Sequence, residues 1–140
     1  MNTLNTIIMV GQKTSKTLHV ILWFIQILLS ITFIWSGAMK IFKPDELPWS
    51  WIKESPALAM ITGVIDLLAG FGLVLPAMLR IYSKLTIYAA YGTILLMIAA
   101  SIFHVSRGEG SQIGFNIFVL VCAIFIAWGR QTRARITDKG

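Results

Sequence analysis

Charge is scarce in this chain. Of its 140 residues only 13% are Asp, Glu, Lys or Arg, against 56% hydrophobic, and the mean hydropathy is +0.77. That excludes an ordinary water-soluble globular domain. A single cysteine excludes an internal disulfide, a Cys-x-x-Cys dithiol and a cysteine-built zinc or iron–sulfur site within one chain. Of the two histidines, His19 opens the first apolar run and His104 closes the third, so a hydrocarbon thickness separates them and one haem cannot take both as axial ligands. No histidine and carboxylate fall at the helical spacing that builds di-iron sites in bundles, so no bound metal is expected. The polar residues are too scattered to form a catalytic domain outside a bilayer. The sequence therefore reads as one integral membrane domain over residues 1–140, with any chemistry in or beside the membrane.

What the chain has in abundance is long uncharged runs. No charged residue lies between Lys16 and Lys40, a gap of 23 residues that as helix reaches about 35 Å, enough for roughly 30 Å of hydrocarbon. From Ser55 onward the only charge before Arg80 is Asp66, in a run that opens with Ser55-Pro56, an N-cap with proline at the first helical position, and meets a second proline at Pro76. Two further gaps separate Lys84 from Arg107 and Glu109 from Arg130. Helices are expected near 18–39, 56–75, 85–104 and 112–129, because every backbone amide in hydrocarbon must be bonded within its own segment. Short connections between them predict an all-α, transmembrane up-down-up-down four-helix bundle.

The net charge of +6 falls in short groups between these runs, which points to membrane topology and away from nucleic acid. Eight Lys and Arg accompany the N-terminal segment, second loop and C-terminal tail, and four accompany the first and third loops. The excess predicts a cell inner (plasma) membrane protein with both termini cytoplasmic. Trp23 and Trp128 then fall near the inner interface and Trp35, Trp49 and Trp51 near the outer one. Residues 40–55, with Pro44, Pro48 and the Trp pair, are expected as a short structured loop over the bundle mouth. The first apolar run is longer than a signal-peptide core, so an uncleaved first helix is expected, preceded by a short cytoplasmic lead-in over residues 1–17.

Asp66 is the most informative residue, because a carboxylate at the centre of a membrane helix costs about 2.5 to 3.5 kcal/mol on insertion scales. Gly63, Asp66 and Gly70 fall at i, i+3 and i+7, which places the acid on a small-residue stripe open to close approach by a neighbouring helix. It either fixes helix register through a hydrogen bond or handles a proton, ion or ligand. On the first span Gln26, Ser30, Phe33, Gly37 and Lys40 recur at spacings of four and three. The Lys40 amine can snorkel outward, pair with Asp66 or contact a ligand. His104 closes the third span on the outer side and Asn116 lies about one turn into the fourth. Lys40, His104 and Asn116 are thus candidate ligand-binding groups around Asp66, the candidate catalytic proton acceptor, in a polar outer vestibule. Each taken singly also has a plainer role, His104 as a boundary residue and Asn116 as interhelical glue. Cys122, in mid-helix, is a small packing residue.

Three stretches resemble the DoxX and DoxX-like family of small four-helix membrane proteins. They are Trp35-Ser36-Gly37-Ala38-Met39-Lys40-Ile41-Phe42, then Gly63-Val64-Ile65-Asp66-Leu67-Leu68-Ala69-Gly70-Phe71-Gly72-Leu73-Val74-Leu75-Pro76, and His104 near the end of the third span. Family members more usually carry Glu where this chain has Asp66. The resemblance implies the four-helix fold. It also implies a range of roles, since the founding member is linked to a quinone-reducing thiosulfate oxidoreductase, other members serve in methylamine utilisation and an animal relative assists receptor assembly.

The expected function is a membrane subunit or accessory protein of a quinone-linked oxidoreductase system, with quinone as ligand, no cofactor of its own and electrons supplied by a partner protein. The alternatives are a non-enzymatic membrane assembly or integrity factor and a small transporter, the last disfavoured because four helices leave little room for alternating access. Lipids, an oxidoreductase or other membrane protein, and a second copy of the chain are the expected partners.

Overall fold

The computed structural model describes residues 2–139, with side chains for 16–111 and 113–139. The helices are α1 (Asn2–Phe42), α2 (Ser50–Glu54), α3 (Pro56–Leu79), α4 (Lys84–Ser106) and α5 (Ile113–Thr132), with single 3-10 turns at Pro44–Glu46 and Gly110–Gln112. No strand occurs among the described residues. Four helical stretches, Lys16–Phe42, α3, α4 and α5, are long and apolar enough to cross a membrane. They match the four apolar runs, in which Asp66 is the one charged residue and therefore the one costly to expose to lipid. The stretch expected as a lead-in is continuous with α1, and the side chains of its first fifteen residues, Lys13 included, lie outside the described ones.

Around the bundle α1 packs on α3, α3 on α4, α4 on α5 and α5 back on α1, the last contact being the sparsest. Since lipid tails are as apolar as leucine, packing here rests on close fit and interhelical hydrogen bonds. The α1–α3 seam shows both. A Cβ on Gly37 would fall 2.6 Å from the Gly63 carbonyl oxygen, and one on Gly70 would fall 2.7 Å from the Ile34 side chain and 3.0 Å from the Ser30 carbonyl oxygen. Only glycine lets the two backbones lie this close. Along the same seam the Ser30 hydroxyl donates to the Gly70 carbonyl and the Gln26 amide to the Leu73 carbonyl, each at 2.6 Å. Most of the large exposed hydrophobics, such as Phe24, Leu68, Leu95 and Val121, lie on helix faces turned away from the core, where lipid would meet them.

The second span runs through Pro76 to Leu79 instead of stopping before it. Proline has no N–H for the carbonyl four residues back, which is that of Gly72. Thr86 supplies the missing donor, its Oγ1 lying 3.1 Å from the Gly72 oxygen, so the helix continues. Arg80 then ends α3 in the left-handed region at φ 56. The C-terminal tail folds back on this turn: Arg80 Nε donates to the Thr137 carbonyl, and the Ser83 N–H donates to Asp138 Oδ1 at 2.8 Å. Ser83 holds the Asp138 carboxyl below its ordinary range.

At the opposite end, the expected loop over residues 40–55 forms the 3-10 turn and α2, with Leu47, Trp51 and Ile52 buried against Ala59. Trp51 is 7% exposed. It is therefore a core residue and not the interfacial anchor expected from its position, because α2 turns the indole down onto Phe103, with ring centroids 5.8 Å apart.

Candidate functional site

Beneath α2 lies a cavity of about 680 Å³. All four transmembrane helices reach it: Ser36 and Lys40 from α1, Asp66 from α3, His104 from α4 and Asn116 from α5. The structure thus brings the four sequence-derived candidates, Asp66, Lys40, His104 and Asn116, into the wall of one space. Much of the rest is apolar or aromatic, including Phe33, Leu58, Met97 and Trp51.

Asp66 is 3% exposed. The glycines on either side of it, Gly63 and Gly70, draw α1 in close, and this places Ser36 and Lys40, one turn apart on α1, opposite the carboxylate. Lys40 Nζ donates to Asp66 Oδ2 at 2.8 Å and Ser36 Oγ donates to the same oxygen at 2.9 Å. Neither bond falls on Oδ1. Lys40 also lies over the Trp51 ring, 5.5 Å from its centroid. Of the three alternatives for its amine, outward snorkelling is thereby set aside, since the side chain is only 11% exposed and ion-paired.

Asn116 is 9% exposed, and its Nδ2 is buried with no hydrogen-bond partner. A buried amide left in this condition costs about 1–3 kcal/mol, so it does not act as hydrogen-bonding glue in the form expected of it. His104 is held from the side: its Nδ1 lies 3.4 Å from Glu109 Oε1. Arg107 donates from Nε to the same oxygen at 2.8 Å and from Nη2 to Glu54 at 2.8 Å. This network joins the end of α2 to the α4–α5 turn above the cavity. The Arg107 guanidinium holds the Glu109 carboxyl below the usual carboxylate range, and the two acids raise Arg107.

Two features were not read from the sequence. Ser36 sits one turn before Lys40, a spacing that carried the signal for its contact with Asp66. Arg130, counted only among the basic residues that mark topology, is 3% exposed. No pattern in the sequence marks that depth, because it depends on the tail folding back under the bundle.

Chemically, the cavity offers hydrogen-bond donors from Lys40 and Asn116, one carboxylate oxygen and an imidazole at the head of an apolar space. That combination suits a lipophilic molecule with a small polar head that accepts hydrogen bonds.

The model of a family described as DoxX-like matches residues 24–126. The matched stretch contains Lys40, Asp66, His104 and Asn116 and stops short of Arg130. No curated protein and no solved structure matches the chain.

Proposed function

We propose, for a chain that belongs to the DoxX-like family, that the cavity beneath α2 binds the head of a quinone-class molecule and that the protein serves as a membrane subunit or accessory protein of a quinone-linked oxidoreductase. The observation that carries this reading is the buried, partnerless Asn116 Nδ2 in the wall of the same largely apolar cavity as the Lys40–Asp66 pair. An unsatisfied donor in such a place is answered by a carbonyl acceptor.

Lys40 and Asn116 are the donors for the two ends of such a head, and Asp66 holds or passes a proton at Oδ1 while Ser36 and Lys40 fix Oδ2. A bound quinone supplies two-electron, two-proton redox chemistry. The chain's single cysteine and two widely separated histidines provide no redox centre, so the electrons belong to a partner protein. The excess of Lys and Arg on the opposite end supports an outer-leaflet position for the cavity.

The test uses the full chain in lipid nanodiscs, titrated with a short-chain benzoquinone while tryptophan emission is followed. Saturable quenching that is largely lost in W49F/W51F, the two tryptophans that line the cavity, and whose apparent affinity weakens about tenfold or more in Asn116→Leu, a loss of about 1.4 kcal/mol, is the expected result. Asp66→Asn should alter the pH dependence of binding. Quenching that never saturates and is the same in every variant would overturn the reading and leave the pair as the internal fastener of an assembly factor.

A further inference from the structure

A second polar cavity, of about 480 Å³, lies at the other end of the bundle, between the start of α4 and the end of α5. Arg130 forms part of its wall and is itself almost wholly buried. Nε donates to Gln26 Oε1 at 2.6 Å, Nη1 donates to the Ala134 carbonyl at 3.0 Å and lies 2.9 Å from His19 Nδ1, and the guanidinium carbon sits 5.4 Å from the Trp23 centroid. None of these partners is a carboxylate. Among the described residues no acid lies within ion-pair distance of Arg130, and its Nη2 is buried without a hydrogen-bond partner.

Gln26, itself fully buried and anchored on the Leu73 carbonyl, orients the guanidinium without neutralising it. Burying a cation in this way is costly unless a counter-charge arrives. Two more cations, Lys84 and Arg135, line the same cavity and are exposed. Its one acid, Asp138, is exposed and already accepts the Ser83 N–H. Thr86 and Tyr88 complete a wall that passes from the polar tail to the face of α4.

We infer that this cavity binds a phosphate-type oxyanion, with Arg130 as the buried anchor and Lys84 and Arg135 as rim contacts. A guanidinium fork is matched to phosphate oxygens, and basic pockets between membrane helices hold anionic headgroups. Two sources present this chemistry: a phospholipid headgroup in the adjacent leaflet and free phosphate in solution. The site is independent of the cavity beneath α2; its anchor Arg130 and rim residue Arg135 lie beyond the residues matched by the family, and Lys84 lies within them.

The experiment compares thermal unfolding of the full chain in phosphatidylcholine nanodiscs, in the same discs containing phosphatidylglycerol, and in phosphatidylcholine discs with added inorganic phosphate. Arg130→Gln removes the anchor but also strands Gln26, so the decision rests on K84Q/R135Q, with K16Q/K139Q as a control that removes equal charge outside the cavity. A rise of roughly 5 °C with phosphatidylglycerol, at least halved in K84Q/R135Q and kept in the control, supports the site with a lipid source. The same pattern with inorganic phosphate in neutral discs supports it with a soluble source. Equal responses in both double variants, or no response of the unaltered protein to either anion, overturn it. D66N keeps the response, which separates this outcome from the fate of the quinone reading.

Discussion

Lys40 and Asp66 form a buried ion pair to which Ser36 adds a neutral hydrogen bond, so removing either charge strands the other. Breaking a buried pair from one side costs about 3–5 kcal/mol, whereas replacing both partners is often close to neutral. Lys40→Met is therefore expected to destabilise by about 3 kcal/mol in reversible detergent unfolding, and adding Asp66→Leu should return most of that loss. A double variant no better than the single one would mean that the pair is not coupled. The inward turn of Asp66 was legible because Gly63 and Gly70 flank it at helical spacing, and the seam from Gln26 to Lys40 was legible for the same reason. The burial of Trp51 and Arg130 was not. Each depends on a segment folding back over the bundle, and periodicity within a single helix carries no information about that.

At the scale of the helix, the α1–α3 contact depends on side chains that are absent. Gly37→Ala drives a methyl into the Gly63 carbonyl and Leu67 and is expected to cost about 1–3 kcal/mol. Gly92→Ala, where an added Cβ meets nothing within 4 Å, should be neutral or stabilise by up to about 1 kcal/mol. The same unfolding measurement on both variants checks the contrast. The network over the cavity makes a separate prediction. Glu109 is held below its ordinary value by Arg107, so its contribution is complete above the unfolded carboxylate value of about 4.3. It is lost as pH falls through the lower folded value. The Glu109-dependent change in Trp51 emission is thus expected only below about pH 4, and Glu109→Gln should abolish that acid transition. The helix limits were legible to within a few residues except at the start of α1, which begins at Asn2 and not near residue 18, and at Pro76, where Thr86, on a different helix, supplies the donor that lets α3 continue.

For the whole molecule, the distribution of Lys and Arg predicts that the Arg130 end faces the cytoplasm. Since Cys122 is the single cysteine and is buried, cysteines introduced at Glu46 or at Arg135 can be labelled cleanly in intact cells. A membrane-impermeant maleimide should react with the first and not with the second, and the reverse pattern would invert the orientation. The α1–α5 contact is the sparsest of the four around the bundle, and Thr32 of α1 and Phe115 of α5 both border the cavity beneath α2. On the proposed reading, entry into that space is expected sideways, between α1 and α5. A guest of the proposed class would then be drawn from the leaflet, and its occupancy would follow the number of guest molecules per lipid, whatever the volume of water outside.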